Sequence, residues 1–277
     1  MRIGAYYFPT DYGIEPGELA RALEDRGFEA LYMCEHTHIP VSRRTRFPGG
    51  GELPQCYIHT HDPFVALSFA AATTSKIRLG TGICLIAQRA PIATAKVIAS
   101  LDMLSGGRFS FGIGGGWNVD EMENHGTQYD QRFKIVKERV LAMKQLWTQK
   151  EAEFHGDFVD FDPAWSYPKP VQTPHPPVLL GGHTDYTLKR VVDYCDGWLP
   201  FGFNFDPKAE RERLAKFAEP AGRDPASISI TLFGLPPDPA KIAQNREGGT
   251  DEVLLAVPDK NRDEILKHLD ELAPLLG

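Results

Sequence analysis

The chain has 277 residues, 42% hydrophobic and 24% charged, the balance of a globular protein, with a formal net charge of −7 and no long basic block. Nucleic acid is not expected as a partner, because its binding draws on clustered Lys and Arg. No stretch reaches the roughly 20 apolar residues of a membrane-spanning helix, and Cys34, Cys56, Cys84 and Cys195 are too scattered for a disulfide framework or a Cys-rich zinc site.

The N-terminal MRIGAYYFPTDYG lacks the apolar core and cleavage site of a signal peptide, so a reduced cytoplasm is the expected setting. IGAYYF (3–8) reads as a first strand, followed by a helix in EPGELARALEDRGF, where Pro16 suits the first turn and Gly27 the stop. ALYMC (30–34) is the second strand. DPFVALSFAAATT (62–74) is a helix with Asp62 as its N-cap and Pro63 at its first position. IRLGTGICLI (77–86) is a continuous apolar run that predicts a third strand, buried on both faces.

PIATAKVIASLDMLSGG (91–107) returns as a helix stopped by glycine, and RFSFGIGGGW (108–117) is the fourth strand. In QRFKIVKERVLAMKQLW (131–147), Phe133, Val136, Val140, Met143 and Trp147 fall at steps of three and four, the mark of an amphipathic helix. A Pro- and aromatic-rich stretch follows and reads as a hairpin-like excursion plus loop. The rhythm then resumes, with strands at 177–182, 197–201, 227–235 and 253–258 and helices at 187–195, 207–222 and 239–249. A last helix, RDEILKHLDELAPLL, turns Ile265, Leu266, Leu269 and Leu272 inward.

Eight strands, each followed by a helix, call for a parallel sheet, because a parallel crossover needs a helix-length connection. Eight such units in about 250 residues predict an α/β fold, a closed (β/α)8 TIM barrel with residues 1–277 as a single domain. An open doubly wound sheet would announce itself by a nucleotide fingerprint after the first strand, and none stands there. Two insertions exceed the repeat, at about 39–61 after the second strand and about 148–176 before the fifth. The first lies on the side where barrel active sites are built, which suits a lid or substrate wall.

The predicted strand ends carry glycines and aromatics with few carboxylates, a rim suited to a flat apolar ring and a phosphate more than to a metal ion. GIGGGW (112–117) is not the dinucleotide fingerprint, since Trp117 stands where its last glycine belongs. It reads either as a glycine turn or as a place where backbone approaches a ligand closely. LLGGHTDYTLKR (179–190) runs two glycines into a helix start, where free N–H groups favour an anion; capping by Thr184 or Asp185 is the alternative.

LYMCEHTHIPV (31–41) ends the second strand in Glu35, His36, Thr37 and His38. His36 and His38 have the spacing of a zinc pair, as in barrel hydrolases with an HxH motif, but that motif belongs to the first strand and its later partners are not convincingly placed. His59 and His61 precede the helix at Asp62 and read as loop or capping residues. Arg43, Arg44 and Arg46 form the one basic run of note, open to an anionic ligand or to solvent.

CEHTHIP, DPFVALSFAAATTSKIRLGTGICLI, the LDMLSGGRFSFGIGGGW block, NHGTQYDQRFKIVKERVLAMKQLW, EFHGDFVDF, PKPVQTPHPPVLLGG and DGWLP together resemble the bacterial luciferase-like monooxygenase superfamily, and within it the oxidoreductases that use the deazaflavin coenzyme F420. The resemblance spans roughly residues 1–202. It implies a barrel that holds the cofactor ring at its strand ends, with Glu35 and His36 beside the ring and His36 as the proton-transfer group. Gly82 and Ile83, followed by Cys84, match a strand bulge that backs the ring, often through a non-prolyl cis peptide. Gly115, Gly116 and Asp120 would line the cofactor tail, and Gly181, Gly182, His183 and Thr184 the phosphate. Some family members that oxidise sugar phosphates carry a catalytic glutamate where Trp117 stands here. That substrate class is therefore not expected, and Trp117 reads as a wall of the pocket.

The function expected from the resemblance is hydride transfer between F420 and a small organic substrate. The alternatives are an FMN-dependent monooxygenase on the same fold, an HxH zinc hydrolase, and a flavin-binding barrel without catalysis. A homodimer is the expected assembly.

Overall fold

The short apolar runs pair side by side in a computed structural model that describes residues 1–277. Strands β1 (Arg2–Tyr7), β2 (Ala30–Met33), β3 (Arg78–Thr81) and β4 (Phe109–Ile113) come first. An antiparallel pair, β5 (Ala152–His155) and β6 (Asp160–Ala164), stands apart from them. Strands β7 (Val178–Gly181), β8 (Gly197–Leu199), β9 (Ser229–Phe233) and β10 (Glu252–Ala256) complete the set. The eight strands other than β5 and β6 close into one parallel barrel in the order β1-β10-β9-β8-β7-β4-β3-β2. This is the predicted (β/α)8 barrel, with both insertions where the sequence places them.

The helices are α1 (Pro16–Asp25), α2 (Cys56–His59), α3 (Pro63–Thr73), α4 (Pro91–Leu104), α5 (Val119–Asn124) and α6 (Arg132–Thr148) in the first part of the chain. They continue with α7 (Asp185–Tyr194), α8 (Pro207–Ala218), α9 (Pro239–Glu247) and α10 (Arg262–Leu272). Asp62 caps α3 by accepting the N–H groups of Phe64 and Val65, with Pro63 at the first position. Leu188 and Val191 of α7, like Ile265, Leu269 and Leu272 of α10, are buried in the main apolar core. A second apolar layer that includes Tyr32, Leu179, Leu199, Phe233 and Leu254 fills the barrel itself. No helix is long and apolar enough to cross a membrane.

Three local expectations change. The third strand stops at Thr81 rather than running to residue 86: the Gly82–Ile83 peptide is cis, and Ile86–Gln88 form a single 3-10 turn. Cys84, Leu85, Ile86 and Ala87 are all buried, so the apolar run reports burial under other elements and not continued pairing. Helices α2 and α5 have four and six residues, too short to leave a periodic pattern. His59 accordingly ends a helix instead of lying in a loop, with Nδ1 3.0 Å from Asp11. The second insertion carries the β5–β6 hairpin and returns to the barrel through Asp102, which accepts the N–H groups of Val171 and Gln172 at 2.8 and 3.1 Å.

One buried carboxylate ties three elements at the barrel mouth. Glu35, just beyond β2, accepts the Leu85 N–H at 2.6 Å and the Arg89 Nε–H at 2.5 Å, while Arg89 reaches Asp62 at 2.6 Å. The side chain of Glu35 is only 1% exposed. Losing its cation would strand a buried charge, so Arg89→Met is expected to lower stability by about 3–5 kcal/mol in urea unfolding. A loss below about 1 kcal/mol would show that the pair does not hold the mouth.

Candidate active site

His36 lies three residues past β2, is 7% exposed, and sits with Nδ1 2.8 Å from Oε2 of Glu121, a fully buried residue in the first turn of α5. Tyr57 and Trp117 pack against the imidazole, with ring centroids at 5.0 and 5.8 Å. Phe8 and Phe47 pack in turn on Tyr57, at 4.5 and 5.2 Å. Phe47 and Tyr57 both belong to the first insertion, which therefore forms an aromatic wall beside His36. Burial pushes the Tyr57 phenol well above its usual range, so it stays protonated.

The insertion is fastened to α5. Arg44 donates from its backbone N–H and from Nε to Asp120 at 2.9 and 2.8 Å, and its guanidinium also meets Glu123. The Val119 N–H donates to Thr45 Oγ1 at 3.2 Å. Asp120, expected along a cofactor tail, is thus engaged by the insertion. A cavity of about 630 Å³ opens within the insertion, with Arg43, Arg46, Phe47, Leu53 and Ile58 among its walls.

The two histidines of the HxH motif part company. His36 turns to Glu121, whereas His38 lies with Nδ1 3.1 Å from Thr37 Oγ1 and Nε2 2.9 Å from the Asn124 amide. Thr37 Oγ1 also meets His125, whose pKa is lowered by burial and then by the neighbouring His38. Glu35 has both oxygens occupied by Leu85 and Arg89, so it supports the strand end from beneath.

The floor of the mouth is apolar. A Cβ at Gly114 would lie 1.9 Å from the Ile83 Cδ1, and one at Gly181 would lie 3.3 Å from its Cγ2. Ile83 therefore lies across the ends of β4 and β7, and only glycine at 114 leaves it room. Cys84 is fully buried beside it, and burial raises its thiol pKa well above the ordinary value. Gly115 backs onto Phe133 and Arg132.

At the end of β7, the Gly182 carbonyl accepts the Trp198 Nε1–H at 2.7 Å and the Thr184 hydroxyl accepts the Thr187 N–H at 3.2 Å. Of the two readings of LLGGHT, capping of α7 by Thr184 is built into the structure. His183 pairs instead with Glu210 at 3.0 Å.

Several residues that sequence reasoning did not select converge on the same region. Arg132 lies 4.6 Å and Arg190 3.8 Å from the Phe133 ring, and neither forms an ion pair with a carboxylate. Both amide atoms of Asn118 and of Gln88, and Oε1 of Glu121, are buried without a hydrogen-bond partner. Such groups are ordinarily satisfied, so the mouth offers unmet donors and acceptors to a polar-edged ligand. An apolar floor, orphaned amides and two unpaired guanidiniums fit a planar ring that bears a phosphate. In the sequence, Glu121 has no predicted role and no predicted element, because α5 is too short to leave a periodic pattern.

A family model described as luciferase-like monooxygenase matches residues 15–237. The chain belongs to the luciferase-like monooxygenase family. An uncharacterised protein of Mycobacterium tuberculosis is 41% identical over 281 residues, covering 100% of this chain and 99% of that protein. An F420-dependent hydroxymycolic acid dehydrogenase of the same organism is 30% identical over 76% of this chain and 55% of its own length. An FMNH2-dependent dimethylsulfone monooxygenase of Pseudomonas putida is 35% identical over 40% of this chain and 31% of its own. Among solved structures, a monooxygenase from Streptomyces bottropensis shares the fold at a TM-score of 0.82 and 21% identity, covering 100% of this chain and 98% of that one. The luciferase-like barrel thus has relatives named for either cofactor.

Arg44 is the exposed link between the insertion and α5. Arg44→Ala is expected to speed amide hydrogen exchange in residues 41–52 by about two- to fivefold, while the barrel strands exchange as before. Unchanged exchange in that segment would mean that the link does not hold the insertion down.

Proposed function

We propose that this luciferase-like protein is an F420-dependent oxidoreductase acting on a small organic substrate, with His36 as its proton-transfer group. The observation that carries the reading is the buried imidazole at the end of β2, oriented by a carboxylate and flanked by an apolar floor. The F420 reading rests on the sequence motifs and on the relative named for F420, which is matched over more of this chain than the FMN-named one is. The second reading, an FMN-dependent monooxygenase, draws on that shorter match and on the fold shared with a monooxygenase.

When bound, the cofactor supplies a two-electron carrier. Ile83 would back its ring, and the Asn118 and Gln88 amides are free to meet polar edges. Arg132 and Arg190 would take the phosphate, with Gly181, Gly182 and Thr184 at the neighbouring strand end. Phe47, Tyr57 and Trp117 would exclude water beside His36. His36 Nε2 has no hydrogen-bond partner within the protein and is the atom that would move the proton. The apolar wall favours a substrate with an apolar body.

We propose further that the chain works as one barrel domain in a reducing cytoplasm, as four buried free cysteines suggest. We also propose that it pairs with a second copy through α3 and α4, which expose Val65, Phe69, Ile92 and Leu104. Sedimentation is expected to give twice the 30.8 kDa chain mass, and a monomer at micromolar concentration would dispose of the pairing.

Titration of the purified protein with F420 and with FMN separates the two readings. Saturable binding of F420 in the micromolar range or tighter, with no oxygen uptake when reduced FMN is supplied, is the expected result. Oxygen uptake dependent on reduced FMN, without F420 binding, would replace the first reading by the second. Arg132→Ala is expected to weaken cofactor binding by about tenfold or more, the worth of a lost hydrogen bond to a charged group. His36→Ala should keep that binding and lower turnover by about 10²-fold or more.

A further inference from the structure

Glu121 stands out among the buried carboxylates of the chain. Glu35 has Arg89 as its cation, and Asp102 accepts two backbone N–H groups and an amide. Glu121 is fully buried and has only the imidazole of His36, through Oε2, while Oε1 has no partner. A carboxylate so poorly compensated is costly to bury, so packing and stability do not account for it. A carboxylate accepts hydrogen bonds and does not donate them, so Glu121 acting as a carboxylate would take the hydrogen of the His36 contact from Nδ1.

We propose that Glu121 is a positioning residue that fixes His36 as its Nδ1–H tautomer and leaves Nε2 to exchange a proton with the reacting molecule. The proposal rests on His36 being the proton-transfer group, and it adds the residue that prepares His36 for that role. For a substrate oxidised at a carbon that bears a hydroxyl, Nε2 would take the hydroxyl proton and the bound cofactor would supply the hydride acceptor. In reduction both transfers reverse.

The placement of Glu121 also couples it to the insertion. Asp120 and Glu123, on the same six-residue helix, are the two carboxylates that Arg44 holds, and Val119 is the residue tied to Thr45. The segment that walls the site on one side therefore steadies the helix that orients His36 on the other.

A glutamine at 121 keeps the shape but can present either its oxygen or its NH2 to Nδ1, so it no longer dictates the tautomer. An aspartate remains an acceptor only. Long-range 1H–15N spectra of the unliganded protein, with His36→Ala used to assign the signals, read the tautomer without any turnover. The expected result is a hydrogen on Nδ1 of His36 in the native protein and loss of that single form in Glu121→Gln. In turnover, Glu121→Gln is expected to lower kcat by about tenfold to a hundredfold with KM and cofactor Kd within about threefold, and Glu121→Asp to recover part of the loss.

A hydrogen on Nε2 in the native protein would overturn the proposal. So would a Glu121→Gln variant with native spectrum and kcat. If His36→Ala turned over normally, the catalytic reading of His36 would fall, while the spectra would still decide whether Glu121 sets its tautomer.

Discussion

Glu35 supplies the constraint on which the barrel mouth depends. Its two oxygens collect the backbone of Leu85 and the guanidinium of Arg89, and Arg89 passes the link on to Asp62 at the head of α3. Beyond Thr81 the chain leaves the sheet, and the pairing that would fix its path is reduced to single contacts such as the Cys84 bridge to Ile113. The carboxylate takes over that task. It holds Leu85 and Arg89 against the end of β2, just past the point where Ile83 lies across the glycines at the ends of β4 and β7. In a low-dielectric setting such a pair is costly to break, which makes the geometry well defined.

A division of labour follows at the end of β2. Glu35 and His36 are neighbours in sequence, yet one faces the structure and the other the site. The carboxylate that serves His36 comes instead from 85 residues further along the chain, on a helix of six residues. That helix also receives the first insertion through Arg44 and Thr45. Wall, imidazole and orienting carboxylate therefore form one connected unit, although they belong to three separate stretches of chain.

The far side of the mouth is built on different physics. Two guanidiniums stack on the ring of one phenylalanine, and neither finds a carboxylate. Like charges held together in this way favour an anion between or beside them. The capping of α7 by Thr184 does not compete with this, since it uses the hydroxyl oxygen and the N–H of Thr187 alone.

The sequence by itself determined the architecture. The alternation of apolar runs with 3.6-periodic segments can be satisfied only by parallel strands with helical crossovers, and eight of them close a barrel. It also determined the strand ends, and so the candidacy of His36 and of the glycines at 114–116 and 181–182, because a TIM barrel places its site there. Tertiary structure decided the rest. The apolar run IRLGTGICLI leaves the sheet at Thr81, and its buried continuation is held by Glu35, whose partners Leu85 and Arg89 lie about 50 residues away in sequence. Arg132 and Arg190 look like ordinary helix charges and Glu121 like a loop carboxylate until folding buries the carboxylate beside an imidazole and leaves the two arginines without counterions. The reason is physical: periodicity encodes which faces are apolar, whereas the partner of a charge is set by distance in space, and here those partners lie tens of residues apart.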